Sequence, residues 1–97
     1  MWMIEDEAHA EPQGEFESLD SALAELRRRA GIPWDIAPNA APCTSWRTCG
    51  RRYEVVQFDT AESPWREIQR VHVLDISADG VKWVEPLDST ATARYGA

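Results

Sequence analysis

EIQRVHVLDISADGVKWVE, Glu67 to Glu85, is two strand-like runs folded about Ser77-Ala78-Asp79-Gly80. Val71, Val73, Leu74 and Ile76 crowd the first run, and Val81, Trp83 and Val84 the second, all types that suit a pleated, half-buried surface. The residues between them are small or turn-forming and end in glycine, so the stretch predicts a β-hairpin. Pro86 ends the returning strand.

Upstream, RYEVVQFD (Arg52 to Asp59) reads as a third strand. Tyr53 and Val55 fall on one face and Val56 and Phe58 on the other, as expected of a central strand covered at least in part on both sides. Thr60 to Arg66, with Ser63-Pro64, reads as a turn. At the start of the chain, Met1 to Ile4 predicts a strand that needs a partner to be ordered, and Glu15-Phe16 a short return. Glu5 to Gly14, with Pro12, Gly14 and several carboxylates, reads as a loop in which His9 is solvated.

Ser18 to Ala30 carries a different period. Leu19, Ala22, Leu23, Leu26 and Ala30 make one helical stripe. Ser18 suits the N-cap, Asp20 the positive end of the helix dipole, and Arg27, Arg28 and Arg29 its negative end. Gly31 is placed to serve as the residue after the cap, and Pro33 prevents continuation. The charge gradient is therefore explained by dipole complement and solvation before any ligand is invoked.

Gly31 to Tyr53, GIPWDIAPNAAPCTSWRTCGRRY, has no periodicity yet holds Trp34, Trp46, Ile32, Ile36, Cys43 and Cys49. Disordered segments are poor in such residues, so an ordered loop wrapped on the domain is expected.

These segments predict one α+β domain over residues 1–86. Its antiparallel sheet has about four to five strands, with one amphipathic helix on one face and the long Trp/Cys/Pro loop beside it. Residues 87–97, small and polar, read as a flexible tail. The chain of 97 residues is long enough for a single core. Its N-terminus, MWMIEDEAHA, lacks the basic and apolar regions of a signal peptide, and no apolar run has membrane-spanning length. A cytoplasmic protein with reduced thiols, not a membrane protein, is expected.

The net charge of −7 is segregated: residues 1–25 hold eight acids and no base, residues 26–53 six arginines and one acid, and residues 54–97 eight acids and four bases. Lys82 is the one lysine. An acidic whole disfavours nonspecific nucleic-acid binding, although guanidinium with Trp34, Trp46 and Tyr53 is the chemistry of single-strand recognition. The plainer reading pairs the arginines with the acidic N-terminal segment, or with Asp35, Glu54 and Asp59.

Cys43 and Cys49 are spaced too widely for one half of a zinc finger, and His9 and His72 are poorly placed to complete one. A disulfide would close a short loop against a reducing compartment. A nucleophilic cysteine activated by Arg47, Arg51 or Arg52, with His72 as base, has no surrounding signature. Two packed thiols are the plain alternative. No catalytic, metal or cofactor residue is assigned, and no cofactor is expected.

The functional expectation is a small non-enzymatic interaction or regulatory protein. Its binding surface would consist of Arg27, Arg28, Trp34, Trp46, Arg47, Arg51 and Arg52, since tryptophan and arginine anchor protein interfaces. The first alternative is an inhibitor or immunity-type protein whose acidic faces block a basic site on a partner protein. Nucleic-acid binding comes next, and a small enzyme using Cys43 or His72 after it.

Overall fold

The computed structural model describes residues 1–41 and 50–84. Five strands form one sheet: β1 (Trp2–Asp6), β2 (Glu11–Phe16), β3 (Gly50–Asp59), β4 (Arg66–Ser77) and β5 (Gly80–Trp83). Their spatial order is β2-β1-β3-β4-β5, and every neighbouring pair is antiparallel. The helix α1 (Leu19–Ala30) lies between β2 and β3 in sequence. Since β1 separates β2 from β3, the connection through α1 must pass over β1, which lays the helix across one face.

The helix forms as its sequence indicates. Ser18 is extended, and its Oγ accepts the Ser21 N–H at 3.1 Å. Twelve residues are marginal as an isolated helix, so its stability comes from packing. Leu19, Ala22, Leu23 and Leu26 bury against Trp2 and Ile4 of β1, Tyr53 and Val55 of β3, and Leu74 and Ile76 of β4. Its C-terminal end differs from expectation. Gly31 sits at φ −90°, so the left-handed position that favours glycine is not used. The side-chain amide of Asn39 instead donates at 2.9 Å to the carbonyl of Arg29, a helix-end acceptor ten residues upstream, and at 2.8 Å to that of Ile32 just beyond the helix.

Ile4 faces Val55, which faces Val71, so one hydrophobic row runs across the three middle strands, and in the next row Tyr53 lies between Asp6 and Leu74. β4 carries one unopposed residue at Val73 and another at Ile68, where its register with β3 shifts. Two expectations are corrected. The loop read from Glu5 to Gly14 contracts to a turn over residues 7–10, because β1 continues to Asp6 and β2 begins at Glu11. Pro12 is tolerated in β2 because this is an edge strand, where a missing N–H costs no interior ladder bond. Ile36, grouped above with buried types, is 53% exposed. Its N–H closes a tight turn on the Pro33 carbonyl at 3.1 Å, and within that turn Trp34 packs against the core while Ile36 stays exposed. Cys43, Trp46 and Cys49 of the long loop and the tail 87–97 lie outside the described residues.

At the start of β3, Gly50 lies directly against β4. A Cβ there would run into the Ile76 carbonyl oxygen and lie 2.8 Å from the Ser77 Cβ. Gly50→Ala is expected to destabilise the protein by about 1–3 kcal/mol through backbone overpacking. Urea denaturation checks this, and an unchanged midpoint would contradict the placement of β3 against β4.

Candidate interaction surface

One end of the sheet is held by a buried charge pair. Asp6, at the end of β1, is fully buried, and its carboxylate accepts from the Arg51 guanidinium at 2.8 Å. It also accepts from the backbone N–H groups of Arg52 at 3.0 Å and Ala8 at 3.1 Å, and its Oδ2 lies 2.6 Å from His9 Nδ1. Arg51 further pairs with Glu11 of β2 and donates to the Ala40 carbonyl at 2.9 Å. Burial alone would raise the Asp6 carboxyl. Arg51, the Arg52 amide and His9 more than offset that, so it is held below the ordinary aspartate value.

A second polar cluster adjoins the first. Arg29 is buried, donates to Glu25 at 2.7 Å and to the Gln13 side chain at 3.0 Å, and lies 5.3 Å from the centroid of the Tyr53 ring. The Tyr53 hydroxyl donates to Asn39 at 2.9 Å, which links β3 to the loop after the helix. Arg28 makes two 2.7 Å bonds to Glu25 and, with Arg29, holds that carboxyl down to about 2.

The seven residues expected to form one surface are dispersed. Arg27 and Arg28 are exposed on the last turn of α1, and Trp34 is partly buried against the core just beyond it. Arg51 is 7% exposed and committed to Asp6 and Glu11, which removes it from the surface. Strand alternation puts Arg52 on the sheet face away from the helix, where it contacts Glu7 at 3.2 Å and Asp75 at 3.8 Å. Trp46 and Arg47 lie outside the described residues. For Arg51 and Arg52, pairing with the acidic N-terminal segment is thus the observed arrangement.

That helix-free face is laced with opposite charges. Arg70 reaches Glu54 at 2.5 Å, Glu67 at 2.8 Å and Glu5 at 3.3 Å, while His72 Nε2 lies 2.7 Å from Asp75. His9, read as solvated, is instead joined to Asp6. Among the described residues no group of three or more histidine, cysteine, aspartate or glutamate side chains could hold a metal ion. No described helix is long and apolar enough to cross a membrane.

The helix face offers different chemistry at its far side. α1 packs chiefly on β1, β2 and β3. Beyond it, an open hollow of about 360 Å³ lies between the end of α1 and the β4–β5 turn, lined by Ala30, Ile32, Trp34, Ile76, Ala78 and Val81 among others. Next to it β5 displays Val81 at 45% and Trp83 at 42% exposure. Val81 pairs with Ile76 and Trp83 with Leu74, so both side chains belong to the helix face. Sequence reading recognised these residues as strand formers and had no signal that the helix would leave them uncovered.

The chain matches no protein-family model, no curated protein and no solved structure.

Two variants test the buried pair. Arg51→Met strands a buried carboxylate and is expected to cost about 3–5 kcal/mol at neutral pH. Because the folded Asp6 pKa is depressed, its contribution is fully present above the unfolded value of about 3.9 and is lost as pH falls through the folded value. Asp6→Asn should therefore flatten the decline in stability as pH falls below about 4, measured by urea midpoints through the acid range. An equally steep decline in the variant would contradict the assignment.

Proposed function

We propose that this chain is a small, non-enzymatic protein-interaction module that holds a partner protein on the apolar shelf formed by Trp34, Val81 and Trp83. The observation that carries the reading is the set of large apolar side chains left exposed along β5, beside the hollow at the end of α1. Contiguous exposed apolar surface rimmed by polar residues marks interaction sites, and tryptophan is a preferred anchor. Arg27 and Arg28, on the last helical turn before this hollow, supply a polar rim.

The reading keeps Trp34, Arg27 and Arg28 from the expected surface and replaces Arg51 and Arg52 with β5. An inhibitor acting through its acidic faces has less support, because Glu5, Asp6, Glu7 and Glu11 are each engaged by an arginine of the same chain. The same engagement of Arg51, Arg52 and Arg70 weakens the nucleic-acid reading.

The test compares partners retained by the native chain with those retained by Val81→Glu and by Arg66→Ala, which lies at the opposite end of β4, all at matched thermal midpoints. Val81→Glu is expected to weaken retention of the specific partner more than tenfold, roughly the loss of one interface hot spot. Arg66→Ala is expected to keep it. Undiminished binding by Val81→Glu would rule out the shelf.

A further inference from the structure

We propose that β5 accepts an extended segment of the partner as a sixth strand, with a carboxylate residue between two apolar ones. This rests on the shelf being the interface and adds how the partner is held and what sequence it presents.

Backbone direction comes first. The Val84 N–H donates to the Val73 carbonyl at 2.8 Å. Amides alternate in direction along an antiparallel strand, so Lys82 and Gly80 also point at β4, where Lys82 faces Asp75 and Gly80 faces Ser77. The N–H and C=O groups of Val81 and Trp83 therefore point away from the sheet. No strand is paired with that side of β5 among the described residues. Four backbone groups in line beside exposed apolar side chains are a template for strand addition. The opposite edge is protected: β2 carries Pro12, which lacks an N–H, together with Glu11 and Glu15.

Side-chain direction then specifies the occupant. Residues opposite Val81 and Trp83 would point to the helix face, over the hollow and Trp34, and apolar groups fit there. The residue opposite Lys82 would point to the other face. Lys82 is exposed and has no ion pair among the described residues, since Asp75 across from it is engaged by Arg52 and His72. A carboxylate placed beside Lys82 forms a favourable cross-strand pair.

The same geometry disfavours a second copy of this chain in the register that pairs Val81 with Trp83. Pairing β5 with its own symmetry mate, with Val81 opposite Trp83, sets Lys82 directly opposite Lys82, and like charges in that position are destabilising.

The probe is a synthetic seven-residue peptide, Ser-Thr-Val-Glu-Phe-Thr-Ser with blocked ends. At millimolar concentration it is titrated into the full chain while amide exchange is followed by NMR. Its controls carry Lys in place of Glu, or N-methyl groups on the residues that would bond to β5. The Glu peptide is expected to slow exchange at Val81 and Trp83 by about tenfold, given peptide in about tenfold excess over its dissociation constant. The Lys peptide should bind about threefold to fivefold more weakly, and Lys82→Glu should reverse that preference.

Equal binding of the N-methylated peptide overturns strand addition and leaves the shelf standing. A preference that Lys82→Glu does not reverse overturns the assigned carboxylate. Binding that appears only in a chain ending at Glu85 makes the chain's own C-terminal segment the occupant and overturns the partner. If no peptide protects Val81 or Trp83, strand addition fails, and the Val81→Glu retention experiment then decides separately whether the shelf survives.

Discussion

The pairing of Asp6 with Arg51 is the contact that the rest of the architecture depends on. Through it the end of β1, the start of β2, the start of β3 and the loop at Ala40 meet at one guanidinium. Such a pair adds little net stability over apolar residues of the same shape, because both ions lose water. Its effect is one of selection: slipping β1 by one residue against β3 would turn Asp6 to the opposite face and leave Arg51 buried without it. The adjoining cluster extends the constraint to the helix, since Arg29 joins Glu25 of α1 to Gln13 of β2 over the Tyr53 ring.

The two faces of the sheet have been solved by different chemistry. One is covered by α1 with aliphatic contacts, and the other by long charged side chains whose stems lie over the strands while their ends pair with one another. Glu54 is buried on that second face, yet its carboxylate is met by Arg70 at 2.5 Å. A single helix of twelve residues cannot roof five strands, and the uncovered remainder falls at β5. The apolar shelf is thus a result of coverage as much as of composition.

Much of this architecture was legible in the sequence. The helix could be read because Ser18, the stripe Leu19 to Ala30 and the terminal arginines all point the same way, and the hairpin because Gly80 falls between two dense apolar runs. β2 was only partly legible, because Pro12 and Gly14 oppose strand formation in the interior and are admitted here only by its edge position. Asp6, Glu11, Arg51 and Arg52 show why the candidate surface was read less well. In one dimension a buried ion pair between residues 45 positions apart is indistinguishable from two solvated charges. Asn39 likewise gives no local sign that its amide will close a helix ending at Ala30.

The placement of β1 has a consequence for how the chain can be assembled. It precedes the other four strands of the sheet in sequence and lies between two of them, with Trp2 paired to Phe16 on one side and to Gln57 on the other. Only the first of these partners is local. Until the ribosome has released β3, the β1–β2 hairpin and α1 carry Trp2, Ile4, Leu23 and Leu26 without the strand that completes their core. Closing that loop of more than fifty residues costs entropy before it returns contacts, which places the fold among the slower topologies for its size. Synthesis therefore leaves an early apolar hairpin waiting for the middle of the chain.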